Sequence, residues 1–160
     1  MPDDARLRPS NAITISAWLK PSSPLQTARW LDRGTYSTYE GYVGDIWDDG
    51  KVSVVLCDGS ACYRVASAPG TISPDVWYHY AATFDGKTIK LYINSELESS
   101  LELDQKTQIY YITPNTLEIG GEGTITFYYG ALSDVMIFND VALPQNKINQ
   151  LYNVFSRFYS

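Results

Sequence analysis

The chain is poor in the residues that most often carry chemistry: among 160 residues there are one histidine, two cysteines and two methionines. One His and two Cys cannot complete the four-ligand shell of a zinc site. No nucleophile-elbow wording accompanies the histidine, so a Ser-His-Asp triad has no support either. Basic residues number 12, stand singly and face 18 acidic ones, for a net charge of −6. Nucleic acid needs a clustered basic footprint, so it is not expected as a partner. No apolar run approaches the roughly 20 residues of a membrane helix, and membrane insertion is not expected. The opening residues, MPDDARLRPSNA, lack an apolar leader. The chain is therefore read as cytosolic or as a piece of a longer secreted protein.

What is abundant is tyrosine: 13 of them, with 4 Trp and 5 Phe. Aromatics suit strands and fill a β core. They also pair a flat apolar face with a polar edge, which suits sugars and protein surfaces alike. Hydrophobic content of 44% marks a globular chain. Its length fits one domain, residues 1–160, with a two-layer core. The acidic balance serves solubility and is compatible with a cation or a neutral partner.

The strongest local pattern is DVWYHYAATFDGKTIKLYINS, residues 75–95. Tyr78, Tyr80, Ala82 and Phe84 share one face; Trp77, His79, Ala81 and Thr83 share the other. Past Asp85-Gly86, Ile89, Leu91 and Ile93 alternate with Thr88, Lys90 and Tyr92. A period of two broken by Asp-Gly predicts an antiparallel hairpin. Further strands are predicted at 12–20, 28–33, 51–56, 63–66, 97–103, 108–112, 116–119 and 131–138. Pro144, Ile148, Leu151 and Tyr152 predict a short C-terminal helical turn. This reads as an all-β, antiparallel two-sheet β-sandwich of jelly-roll type.

The hairpin wording resembles that of LamG-like jelly-roll domains in the concanavalin A-like lectin and glucanase superfamily. ITISAWLKP (13–21), LEIGG (117–121) and YYGALSDVMIFNDVALPQNKINQLY (128–152) resemble further blocks of that family in the same order. The resemblance implies a sugar-binding, adhesion or recognition module, because the family's functions are diverse. Three departures stand out. Only about ten residues precede the SAW block, where such domains usually place a first strand, and the aromatic tail 153–160 is a candidate to fill its slot. Asn94-Ser95 stands where the family has Asp-Gly or Asn-Gly, which predicts a different turn type. Ser133-Asp134 replaces an acidic pair, which leaves Asp134 as a candidate ligand of a structural Ca2+. Asp45, Asp48 and Asp49 form a second acidic loop, read as a solvated turn in preference to a metal site.

Catalytic relatives in that superfamily use Glu-x-Asp-x-Glu on one strand, which sets carboxylates roughly 5 Å apart. Glu98, Glu102 and Asp104 come nearest and do not fit. Lyase-like relatives need Gln-x-His, and His79 lacks the glutamine. His79 is read as structural, hydrogen-bonded beside Trp77. No catalytic residue is assigned, and a polysaccharide-degrading enzyme is the least favoured reading.

Cys57 and Cys62 flank a short turn. Pairing across two strands would bring them to disulfide distance, worth about 2 kcal/mol for so short a loop. A disulfide points to an extracellular or cell-surface setting; two free thiols are the alternative. For ligand contact the richest segment is 30–47, with Trp30, Arg33, Tyr36, Tyr39, Tyr42, Asp45 and Trp47. A second cluster pairs Tyr110-Tyr111 with Tyr128-Tyr129. Neighbours in a strand face opposite ways, and the family's wording implies that Tyr128 points in and Tyr129 out. Tyr63 and Arg64 are candidates for the rim. The expected function is non-catalytic recognition of a carbohydrate, with protein–protein adhesion or structural assembly as the alternative.

Overall fold

The computed structural model describes residues 2, 4–112, 115–122 and 126–159, without the side chains of residues 35, 36, 122 and 126. Twelve strands run β1 (Ile13–Pro21), β2 (Ala28–Thr35), β3 (Glu40–Ile46), β4 (Val52–Cys57), β5 (Cys62–Ala66) and β6 (Tyr78–Phe84). Then come β7 (Thr88–Ile93), β8 (Glu96–Glu102), β9 (Glu118–Ile119), β10 (Gly121–Glu122), β11 (Thr126–Phe127) and β12 (Gly130–Asn139). One helix, α1 (Gln145–Ser156), closes the chain. The strands pair antiparallel into two five-stranded sheets, β12-β1-β6-β7-β8 and β5-β4-β3-β2-β9, beside a small β10-β11 ribbon.

Alternation places the core between the sheets. Ile13, Ile15, Ala17 and Leu19 of β1 join Tyr80, Ala82 and Phe84 of β6 and Ile89, Leu91 and Ile93 of β7. They meet Trp30, Tyr42, Ile46, Val52, Val54 and Leu56 from the second sheet. Each Val, Leu, Ile or Phe among them contributes about 1.5–3 kcal/mol on leaving water. The hairpin thus forms as read, with Phe84 opposite Ile89 and Tyr80 opposite Ile93.

Several expectations need correction. Residues 108–112 form no strand: the Tyr110 N–H bonds the Cys57 carbonyl and the Tyr110 carbonyl accepts from Gly41 N–H, so the segment wedges between two strands. Of 116–119 only Glu118–Ile119 pairs. The Asn94-Ser95 turn has φ of 50° and 69°, the two positive values of a type I′ hairpin despite the serine. Tethers offset that cost: Asn94 Oδ1 accepts the His79 N–H at 2.9 Å, and Gln145 Nε2 donates to the Ser95 carbonyl at 2.6 Å.

The C-terminal segment is a 12-residue helix, longer than the turn expected. Its tail adds no strand. The helix instead covers the outer face of the first sheet, where Ile148 (0% exposed) packs on Ala81 and Tyr92. Trp18 stacks with Tyr152 and Tyr159, centroids 5.6 and 4.5 Å away. The part of that face around Trp18, Ala81 and Tyr92 is therefore covered.

Candidate binding site

The segment richest in predicted contacts is largely structural, and a β-bulge in β2 is part of the reason. Arg29 pairs with Asp45 and Leu31 with Gly44, so Trp30 is an extra residue that resets the alternation of β2. Arg33 consequently faces the interior beside Trp30, while Tyr42 of β3 points inward by plain alternation with Ile46; each of the three is at most 1% exposed. Trp30 meets Tyr80 edge-on at 4.8 Å. The Arg33 guanidinium lies 5.0 Å over the Tyr111 ring, and the Tyr42 hydroxyl donates to the Leu7 carbonyl at 3.2 Å. Burial pushes the Tyr42 hydroxyl's pKa well above that of a free phenol. No ligand on the outer surface touches these three.

Asp45 does face outward, but Arg64 Nη1 donates to its Oδ2 at 2.6 Å and Arg29 stands 3.7 Å from Oδ1. Ser53 Oγ adds a bond at 3.2 Å, and Arg29 also bonds Asp32 at 2.5 Å. Trp47 is half-buried, with Lys51 Nζ at 4.4 Å and the Arg64 guanidinium at 5.2 Å from its ring. The outer face of the second sheet is thus a layer of charges and rings engaged with one another. The Tyr36 side chain lies outside the described residues. Tyr39 is 46% exposed.

The second tyrosine cluster divides as alternation implies. Tyr111 turns inward and donates to the Pro9 carbonyl at 3.1 Å, whereas Tyr110 is 45% exposed. Tyr128 packs against the core and Tyr129 is 56% exposed. Tyr129 lies by the end of β1, its carbonyl accepting from Ser22 N–H.

Tyr39 and Tyr110 converge on one feature, the turn between β4 and β5. Cys57 and Cys62 face each other across these strands and form a disulfide, Cα atoms 4.1 Å apart. Inside it, Asp58 Oδ1 accepts from Ser60 N–H, Ser60 Oγ and Ala61 N–H at 2.8–2.9 Å. Its Oδ2 accepts from Tyr63 at 2.9 Å and Thr107 at 3.1 Å. Burial opposes the charge on Asp58, but the bonds from Ser60, Ala61 and Tyr63 prevail and bring its pKa to about 2. Asp58 therefore stays ionised and ties the turn to the 104–108 segment. Gly59 completes the platform. It has φ +89°, its N–H bonds the Tyr39 carbonyl, and a Cβ there would stand 2.8 Å from the Tyr110 ring. Tyr110 lies against the glycine with nearly half its surface in solvent.

Beside Tyr110 opens a groove of about 600 Å³. Asp85-Gly86 of the β6–β7 turn forms one wall, and Asn11, Lys106, Thr107 and Gln108 add amides, an ammonium and a hydroxyl. The walls are braced: Asp85 Oδ1 accepts from Lys87 and Thr88 N–H at 2.9 and 2.7 Å. Gln108 Nε2 donates to Asn11 Oδ1 at 2.7 Å. A second groove of about 510 Å³ adjoins it, sharing Asp58 and Thr107 and adding Tyr63, Glu102, Asp104 and Gln105. A flat ring bordered by amides, hydroxyls and carboxylates can stack on a sugar and bond its hydroxyls. Sequence reasoning missed Asn11, Asp85, Lys106 and Gln108. Tyr39, Tyr63 and the exposed member of the Tyr110-Tyr111 pair signalled the place.

Two further candidates from the sequence have structural partners. Asp134 accepts from the Tyr159 hydroxyl and, at 3.2 Å, from Ser133 Oγ. Among the described residues no three His, Cys, Asp or Glu side chains gather into one cluster. His79, fully buried, shares a hydrogen bond with Ser16 Oγ at 2.9 Å and lies against Trp18 in place of the expected Trp77. Burial lowers its pKa to about 4.

The family model of the concanavalin A-like lectin/glucanases superfamily matches residues 1–149. No curated protein matches the sequence significantly. Among solved structures, the carbohydrate-binding module CBM40 of a Ruminococcus gnavus IT-sialidase, bound to α2,3-sialyllactose, superposes with TM-score 0.71. The two are 21% identical, over 92% of this chain and 85% of that one. The binding domain of botulinum neurotoxin serotype D gives 0.73 at 19% identity, over 92% of this chain but 37% of that one. A heptameric SAP-like pentraxin from Limulus polyphemus gives 0.69 at 19%, over 91% and 71%.

Proposed function

The chain belongs to the concanavalin A-like lectin/glucanases superfamily, and from that premise we propose that it is a non-catalytic carbohydrate-recognition module. The observation that carries the reading is the Tyr110 ring, set on Gly59 at the mouth of a groove lined by amides, hydroxyls and carboxylates. The solved CBM40 module bound to sialyllactose supports it as a relative in fold. The disulfide supports a secreted or cell-surface setting. Asp58, ionised and already held by five donors, is saturated as an acceptor and unsuited to donate a proton as a glycosidase acid must.

The test is a glycan array on the purified chain, followed by titration of any hit into Tyr110→Ala and Tyr39→Ala. Binding by the parent chain is expected, with a loss of at least about tenfold for Tyr110→Ala, equivalent to about 1.4 kcal/mol. Unchanged binding in both variants would remove the site. The protein-binding reading rests on a different place, the apolar groove of about 300 Å³ where Phe138 and Leu143 meet Leu151, Val154 and Phe155 of α1. If a protein partner is found and Val154→Asp abolishes its capture, that reading takes precedence.

A further inference from the structure

We infer that the groove beside Tyr110 takes an uncharged, hydroxyl-rich glycan and discriminates against sialylated or uronic-acid-bearing ones. This rests on the glycan-binding reading of the same groove and adds its charge preference. The lining carries two carboxylates, Asp58 and Asp85, against one ammonium, Lys106. The adjoining groove adds Glu102 and Asp104 and no cation. Lys87, which is nearby in sequence, already pairs with Glu102 at 2.5 Å.

Anionic sugars are held best by the planar guanidinium, which matches a carboxylate with two parallel N–H donors. Among the described residues no arginine lines either groove. The arginines of the Tyr-rich segment lie elsewhere. Arg33 is buried under Tyr111, whereas Arg29 and Arg64 are bound to Asp32 and Asp45 on the outer face of the second sheet. What the groove offers is suited to hydroxyls: carboxylate and amide acceptors, amide and hydroxyl donors, and an aromatic face. An arriving carboxylate would meet like charge locally and a chain of net charge −6 at longer range.

The experiment compares matched pairs on the intact chain by calorimetric titration. Lactose is set against α2,3-sialyllactose, and neutral gluco-oligosaccharides against their glucuronate-bearing counterparts, at low and physiological ionic strength. The neutral member is expected to bind at least tenfold more tightly, with the gap narrowing as salt screens the repulsion. Asp85→Asn combined with Asp104→Asn is expected to narrow the gap between the charged and the neutral member of each pair. Equal or tighter binding of the charged member, or a gap insensitive to those substitutions, would overturn the charge preference and leave glycan recognition standing. If no member of any pair binds, both fall together.

Discussion

Gly44 and His79 show how much single positions carry. A Cβ on Gly44 would stand 2.7 Å from the Trp30 indole, and that indole is wedged between the sheets with nothing to yield. Gly44→Ala is expected to cost about 1–3 kcal/mol, read as a lower urea midpoint at unchanged m-value. His79 is neutral when folded, its pKa brought to about 4 from an ordinary 6.5 by burial. Between those values the unfolded chain binds a proton that the folded chain does not. Its contribution is therefore fully present above pH 6.5 and is lost as pH falls toward 4, on the order of 3 kcal/mol in all. Urea unfolding from pH 7 to 4.5 should show that slope, and His79→Gln should flatten it. The histidine was legible as structural because it stood alone. Its true neighbours, Ser16 and Trp18, lie about sixty positions upstream, beyond any local pattern.

At the scale of elements, two devices hold the groove and the helix in place. The Cys57–Cys62 bridge closes a very short loop and by loop entropy contributes about 2 kcal/mol; Cys57→Ala with Cys62→Ala is expected to lower stability by that amount in denaturant titration. Asp58 then bolts the turn to the 104–108 segment. Asp58→Ala leaves five donors without their acceptor, so faster amide exchange at 58–63 and 104–108 is expected, with little change in β6–β7. On the other side, Ile148→Ala should cost about 2–5 kcal/mol and expose Trp18, seen as a red shift in tryptophan emission. Unshifted emission would mean that α1 does not depend on that contact. The elements were legible unequally. β6 and β7 stand out because both faces keep strict alternation. Residues 108–112 alternate equally well yet bond two different strands, a distinction that only the assembled sheet makes. The C-terminal aromatics resembled a strand filler because their partners, Trp18 and Trp77, belong to remote segments.

Across the whole molecule, the sandwich was readable and its binding surface only partly so. Inward and outward sets follow from period two until a bulge intervenes. The extra residue at Trp30 sent Arg33 into the core and left Asp32 on the outer face. Tyr42 and Asp45 of β3 keep plain alternation, Tyr42 inward and Asp45 outward to pair with Arg64. Of the candidates on 30–47, Trp30, Arg33 and Tyr42 are taken up by the core and Asp45 by its arginines, while Tyr39 stays exposed. The Tyr110 groove is assembled from Asn11, Asp58, Asp85, 106–108 and Tyr110, residues scattered over a hundred positions and united only by folding. The Asp85-Gly86 turn, strongest of the local signals, is scaffold and also a wall of that groove.

The most direct measurement is an amide chemical-shift map of the labelled chain titrated with a neutral oligosaccharide. The shifts are expected to cluster on residues 11, 39, 58–60, 85–87 and 104–110, with little change along β3 or α1. Shifts centred instead on Trp47 and Arg64, or on the groove between β12 and α1, would contradict the assignment of recognition to the Tyr110 groove.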